Sequence, residues 1–123
     1  MPKLQRSAGI NLMGKPGYDQ NRRPDLLVAG ATVVIFTTGN GTTIGNAIAP
    51  VLKLASNNRV FEKCLQDLDI SLPEASSMVL NHSPRSASLF EYVRRTASGE
   101  IQAKAEILKH REFQLWAEQT VSL

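Results

Sequence analysis

Residues 31–56 constrain the fold of this chain more than any other stretch. Two apolar runs, at 33–36 and 51–54, flank a polar loop of glycines and threonines at 37–45. Short apolar runs of this kind are typical of strands that are buried on both faces of an α/β sheet. In open α/β sheets, the loops at the carboxyl ends of the strands are the usual ligand-binding positions. The stretch therefore predicts an α/β domain with this glycine loop following a buried strand.

The rest of the chain predicts short helices and strands around this stretch. A strand over 9–13, a helix over 24–29 that begins at Pro24 and stops at Gly30, and a strand over 33–37 predict a right-handed parallel crossover. Further along, the pattern predicts a helix over 58–66 capped by Asn57, followed by strands over 69–72 and 78–80. It then predicts an amphipathic helix that begins at Ser86 or Ser88, ends at Gly99 and carries on one face Leu89, Phe90, Val93 and Ala97. A helix over 101–109 and an extended piece over 113–116 complete the predicted elements. We expect one α/β domain over 9–123 after a flexible arm over 1–8.

Composition limits the classes of function. The net charge is +3, and 42% of residues are hydrophobic against 20% charged, which is typical of a folded domain. Nucleic-acid-binding proteins usually carry a denser stripe of basic and aromatic residues, and no apolar run here reaches membrane-spanning length. The single Cys64 excludes an internal disulfide and fits a reducing compartment; its neighbours favour a buried structural role. These features predict a cytoplasmic protein without nucleic-acid or membrane partners.

The glycine loop is the main candidate for a binding site. Its glycines allow close backbone approach, and its hydroxyls and successive N–H groups can bind an anion. It matches neither a Walker loop nor a dinucleotide fingerprint, and a tight structural turn explains the glycines equally well. The candidate ligand-binding residues are Thr37, Thr38, Gly39, Asn40, Gly41, Thr42, Thr43, Gly45 and Lys53.

Lys53 and Asp69 each allow two interpretations, and the two histidines bear on metal binding. Lys53 interrupts an apolar strand, so its amine either reaches solvent from a sheet edge or points into a polar cleft near the loop. Asp69 is either a helix-end residue or a carboxylate at a strand tip. His82 and His110 lack the spacing of a self-contained metal site, so no metal ligands are predicted in this chain.

Several segments together resemble a known family. They are Phe36-Thr37-Thr38-Gly39-x-Gly41-Thr42, Ile48-Ala49-Pro50-Val51-x-Lys53 with Ser56-Asn57, Pro16-Gly17-Tyr18-Asp19, Ala97-Ser98-Gly99-Glu100 and His110-Arg111-Glu112-Phe113-x-x-Trp116. This pattern resembles the C-terminal region of the altronate/galactarate dehydratases, a family of sugar-acid hydro-lyases that includes a sulfolactate sulfo-lyase subunit. The resemblance covers nearly the whole chain.

The resemblance implies a fold, a reaction and partners. It implies a Rossmann-like three-layer domain and the elimination of water from a polyhydroxy acid to give a 2-keto-3-deoxy acid. Such chemistry needs a base and an acid or metal; iron is implied for the complete enzyme, with none bound by this chain alone. The glycine loop and Lys53 would hold the substrate carboxylate. The implied partners are a sugar acid and the N-terminal dehydratase domains or a separate subunit, and a homo-oligomer stays open.

The chain also departs from the family pattern. Asn40 stands where the family usually has arginine, and Gly14-Lys15 stands where it has Asp-Thr. The segment 69–73 reads Asp-Ile-Ser-Leu-Pro instead of Asp-Ile-Asn-Ala-Gly. Because these changes remove polar groups, we expect the chain to be incomplete for catalysis alone. The alternative function is a non-catalytic module that binds an anion or a sugar acid.

Overall fold

A short parallel sheet lies at the centre of the fold. The computed structural model describes residues 8–13, 19–72 and 84–112. Its strands are β1 (Val34–Thr38), β2 (Val51–Ala55) and β3 (Ile70–Ser71), paired in parallel in the order β1-β2-β3. Its helices are α1 (Asp19–Val28), α2 (Asn58–Lys63), α3 (Pro84–Ala97) and α4 (Lys104–Ile107). The predicted α/β class with a short parallel sheet is confirmed; the Rossmann-like three-layer arrangement stays a prediction.

The predicted first strand over 9–13 is wrong. Residues 8–13 form no strand, and the side chains of Ile10 and Leu12 are both 97% exposed. An apolar alternating segment becomes a strand only where a partner strand satisfies its backbone hydrogen bonds. The right-handed crossover that was predicted from this strand is therefore wrong as well.

Several helix boundaries also differ from the prediction. The first helix begins at Asp19, so Pro24 lies inside it instead of in its first turn. The helix α3 begins at Pro84 rather than at a serine, because proline is well suited to the first helical position. The helices predicted over 58–66 and 101–109 are shorter, although Asn57 caps α2 as predicted. The pieces predicted over 78–80 and 113–116, and His82, lie outside the described residues.

The strand β2 is buried along its whole length and forms the centre of the core. Leu52, Leu54 and Ala103 form the buried cluster. The partly buried side chains that pack against this cluster are Val33, Ile70, Leu72, Leu89, Tyr92 and Val93. Phe90, which was predicted on the inner face of α3, is 70% exposed, because the inward stripe of this helix runs through positions 89, 92 and 93. Within the described part of the chain, no helix is long and apolar enough to cross a bilayer.

The connection between β1 and β2 contains no helix. Parallel neighbours need a long crossover, which is usually helical. Here residues 39–50, which include most of the glycine loop, cover this distance without regular structure. The glycine loop is therefore both the segment that follows β1 and the crossover that leads into β2.

The carboxylate of Asp69 joins the sheet to α4. Its Oδ2 accepts a hydrogen bond from the Lys53 N–H at 2.7 Å, and its Oδ1 accepts one from the Lys104 N–H at 2.8 Å. The Asp69 N–H in turn donates to the Lys53 carbonyl at 2.9 Å. Of the two predicted alternatives for Asp69, the structure therefore shows the carboxylate at a strand tip, just before β3, with a structural role.

This arrangement predicts a graded loss of stability at Asp69. Asp69→Ala removes the acceptor for two backbone donors and should lower the free energy of unfolding by about 2–4 kcal/mol. Asp69→Asn keeps one carbonyl oxygen as an acceptor, so its free energy of unfolding should fall by about half as much as that of Asp69→Ala. Urea unfolding measures both, and equal stability of Asp69→Ala and the wild type would contradict the role of this carboxylate.

Candidate functional site

The three strands end at one edge of the sheet, where polar residues form the last positions of β1 and β3 and follow β1 and β2. We call the set Thr38, Gly39, Asn40, Ser56, Asn57, Asn58 and Ser71 the carboxyl-edge site. The Ser56 N–H donates to the Thr38 carbonyl at 3.0 Å, which joins the ends of β1 and β2. The Ser71 hydroxyl donates to Asn58 Oδ1 at 2.9 Å, which joins the end of β3 to the start of α2. Gly39, Asn40, Ser56 and Asn58 are exposed, so the site opens to solvent.

The first part of the glycine loop is held by its own side chains and by α2. Thr38 Oγ1 accepts a hydrogen bond from the Gly41 N–H at 3.0 Å. Gly41 has a φ of 93°, and a Cβ there would lie 2.6 Å from Cys64 Sγ. Cys64 is only half-buried, and it packs against the loop. The close backbone approach that was predicted for this loop is therefore required at Gly41, together with a positive φ.

The second part of the glycine loop lies over Lys53. The Lys53 side chain is fully buried, and its Nζ donates to the Thr43 carbonyl at 3.2 Å. Because β2 is the central strand, the predicted alternative of an amine that reaches solvent from a sheet edge is wrong, and the polar interior is the arrangement observed. The structure thus brings Lys53 to Thr43 and not to the exposed residues of the carboxyl-edge site.

Burial sets the ionisation of Lys53. Loss of hydration lowers the pKa of this amine below its ordinary value, and the carboxylates of Asp69, Asp67 and Glu112 oppose that effect. A buried amine with three carboxylates in its surroundings is a feature that both structural networks and functional sites show.

Sequence reasoning did not assign the group that holds Gly45. Glu112 Oε2 accepts a hydrogen bond from the Gly45 N–H at 2.8 Å, and Glu112 Oε1 lies 3.3 Å from His110 Nδ1. On the other side of the ring, His110 Nε2 lies 3.4 Å from Asp67 Oδ1. Gly45 and Glu112 are 67 positions apart in the chain, so no local pattern links them. The one indication in the sequence that residues 110–112 matter was that the family resemblance includes the segment that begins at His110.

This group does not form a metal site. The two carboxylates meet opposite nitrogens of the His110 ring, so the three side chains do not converge on one ion. In the described parts of the chain, no group of three or more histidine, cysteine, aspartate or glutamate side chains is arranged to hold a metal. The residues present do not fit iron, and iron stays a prediction for the complete enzyme.

A small cavity lies away from the carboxyl-edge site. It has a volume of about 170 Å³ and is lined by the segments 46–49, 105–106 and 109–111. It lies where the crossover approaches β2 and where α4 ends. The carboxyl-edge site and this cavity therefore lie at opposite ends of the crossover.

The sequence of the chain matches a known protein family. Residues 2–121 match the family model described as D-galactarate/Altronate dehydratase, C-terminal. The chain belongs to this family. The family predicted from the sequence resemblance is thereby confirmed.

Relatives in this dehydratase family are much longer proteins. The chain is 36% identical over 87 residues to (2R)-sulfolactate sulfo-lyase subunit beta of Chromohalobacter salexigens, a match that covers 71% of this chain and 22% of the relative. It is 35% identical over 60 residues to altronate dehydratase of Bacillus subtilis (49% of this chain, 12% of the relative). It is 36% identical over 58 residues to altronate dehydratase of Escherichia coli (47% and 12%). The chain thus spans less than a quarter of the length of these relatives.

Two glycines of the same loop should respond differently to a methyl group. A Cβ at Gly45 would overlap the carbonyl oxygen of His110, whereas at Gly39 the nearest atom is Ser56 Oγ at 3.6 Å. Gly45→Ala should therefore lower the free energy of unfolding by about 1–3 kcal/mol, as overpacking does. Gly39→Ala is the matched control and should change it by about 0.5 kcal/mol or less. Equal effects of the two variants in urea unfolding would show that the close contact at Gly45 is absent.

The buried amine predicts a pH dependence of stability. Between the lowered pKa of Lys53 and the ordinary value of 10.5, the unfolded chain binds the proton that the folded chain has released. The free energy of unfolding should then rise with pH in the wild type relative to Lys53→Met. Urea unfolding of both proteins between pH 7 and 10 measures this difference. A difference that is flat or falls with pH would contradict the assignment.

Proposed function

We propose that this chain is the part of a sugar-acid lyase that binds the substrate, with the carboxyl-edge site taking a polyhydroxy carboxylate. The observation that supports this most directly is the gathering of amide and hydroxyl side chains at three neighbouring strand ends in a member of the D-galactarate/altronate dehydratase family. Crevices outside the carboxyl ends of parallel strands are the general ligand position in open α/β sheets.

The side chains of the site suit a polyhydroxy ligand. Asparagine and serine side chains each donate and accept hydrogen bonds, as the hydroxyls of a sugar acid do. Asn40, Ser56 and Asn58 are exposed, and they come from segments that follow two different strands. Several hydroxyls of one extended ligand can then be bound at once.

Among the described residues that directly follow the three strands, the groups that elimination requires are absent. Breaking the C–H bond α to the carboxylate needs a base, and breaking the neighbouring C–O bond to release water needs an acid or a metal. Segments 39–46, 56–60 and 72, which follow the three strands, contain no aspartate, glutamate, histidine, cysteine or lysine. The proton-transfer groups and the implied iron would come from other parts of the enzyme. The greater length of the relatives, one of them a beta subunit, supports such a partner domain or subunit.

The same observation favours a second candidate, a module that binds a sugar acid without catalysis. The two candidates differ in what happens when the missing dehydratase domains or subunit are supplied. A lyase component then supports formation of a 2-keto-3-deoxy acid, whereas a binding module leaves the acid unchanged.

Ligand-induced stabilisation tests the proposal. The chain is heated with galactarate, altronate, glucarate or sulfolactate, each with and without Fe²⁺ or Mg²⁺. A ligand at about a hundredfold excess over its dissociation constant stabilises the folded state by about 2.7 kcal/mol. We expect at least one acid to raise the melting temperature, and we expect no release of a keto acid by this chain alone.

Asparagine variants provide the matched control. Asn40→Ala removes an exposed amide from the carboxyl-edge site and should reduce the stabilisation by the acid. Asn46→Ala removes the same kind of side chain from the other half of the crossover, where Asn46 accepts a hydrogen bond from the Ile48 N–H. This variant should leave the stabilisation by the acid unchanged. No stabilisation of the wild type by any of the four acids would overturn the proposed function.

A further inference from the structure

We propose that Arg59 supplies the positive charge that binds the carboxylate of the ligand at the carboxyl-edge site. This inference rests on the proposed function and adds to it the residue that selects an acid over a neutral polyol.

The position of Arg59 in α2 brings it to the site. The helix begins directly after β2, and Asn57 caps it by accepting a hydrogen bond from the Val60 N–H at 2.9 Å. Arg59 is exposed in the first turn of this helix, next to Asn58. Helical side chains lean toward the N-terminus of their own helix. This direction carries the guanidinium toward the edge where the three strands end.

Within segments 39–46, 56–60 and 72, the described residues that directly follow the three strands, Arg59 is the one charged residue. The other residues of segments 39–46, 56–60 and 72 carry amide, hydroxyl or apolar side chains, or are glycines. Neutral groups of this kind bind the hydroxyls of a sugar acid equally well in an acid and in the corresponding polyol. A guanidinium adds a planar pair of donors that matches a carboxylate, and such charge-assisted pairs are the stronger ones.

The guanidinium of Arg59 is available for a ligand. In the described part of the chain, no residue forms a hydrogen bond or an ion pair with it. By contrast, the exposed Arg94 of α3 pairs with Glu91 at 2.8 Å and with Glu100 at 3.3 Å. The amine of Lys104 donates to the carbonyls of Leu65 and Leu68, each at 2.6 Å. Among the residues that the structure describes, Arg59 therefore has no partner for its donors at the edge of a polar site.

Calorimetric titration of the 123-residue chain with galactarate and with galactitol tests the inference. The two probes share the hydroxyls of their inner carbons, and galactitol has primary alcohols where galactarate has carboxylates. We expect the wild type to bind galactarate at least about tenfold more tightly than galactitol. Arg59→Gln should lose about tenfold in affinity for galactarate and keep its affinity for galactitol. Arg59→Lys, which retains the charge without the planar pair of donors, should fall between the two.

Lys63→Gln is the matched control, because Lys63 is exposed at the far end of the same helix. It should bind galactarate as the wild type does, and the melting temperatures of all variants without ligand should agree. If the wild type binds galactarate and Arg59→Gln binds it equally well, the inference is overturned while the proposed function stands. If the wild type binds none of the four acids, the proposed function fails, and this inference fails with it.

Discussion

The structure depends on a lysine that is buried in its central strand. Every residue of β2 is buried, Lys53 included, and a buried amine must find hydrogen-bond partners inside the protein. The Thr43 carbonyl is one such partner, which ties the irregular crossover to the sheet. The backbone of the same lysine exchanges hydrogen bonds with Asp69, which also binds the start of α4. Lys53 and Asp69 together thus connect the crossover, the central strand, the start of β3 and α4.

The contacts of the buried Lys53 divide the glycine loop into two parts with different structural surroundings. In the part near Thr43 and Gly45, the Thr43 carbonyl accepts a hydrogen bond from Lys53 and the Gly45 N–H donates one to Glu112. Gly45 also packs too closely on His110 to be replaced by a residue with a side chain. The part near Gly39 and Asn40 stays exposed at the ends of the strands. Of the two interpretations that the sequence left open, the structural turn applies to the half near Thr43 and Gly45, whereas ligand binding stays a prediction for the half near Gly39 and Asn40. Only the exposed half belongs to the proposed binding site.

Local sequence patterns correctly predicted those features of the fold that depend on interactions between residues close together in the chain. The apolar run of β2, the Asn57 cap and the parallel α/β class follow from burial and hydrogen bonding between near neighbours. The prediction that β1 is buried on both faces is wrong, because β1 is an edge strand of the described sheet in which Val34 is buried and Ile35 is 49% exposed. The strand predicted over 9–13 failed because strand formation needs a partner that the pattern does not show. The contact of Gly45 with Glu112 could not be predicted, because 67 positions separate the two residues. The family resemblance implied that Lys53 holds a substrate carboxylate with the glycine loop; the structure shows its amine buried and donating to the Thr43 carbonyl, and a contact with a ligand stays a prediction.

Amide NMR shift mapping with galactarate tests the central claim most directly, because each backbone N–H reports its own surroundings. The account predicts that the largest shifts fall on residues 39–41, 56–59 and 71–72, at the ends of the three strands. Shifts that are confined to residues 46–49 and 105–111, around the small cavity, would contradict it and move the binding site to the opposite end of the crossover. An unchanged spectrum would contradict it as well.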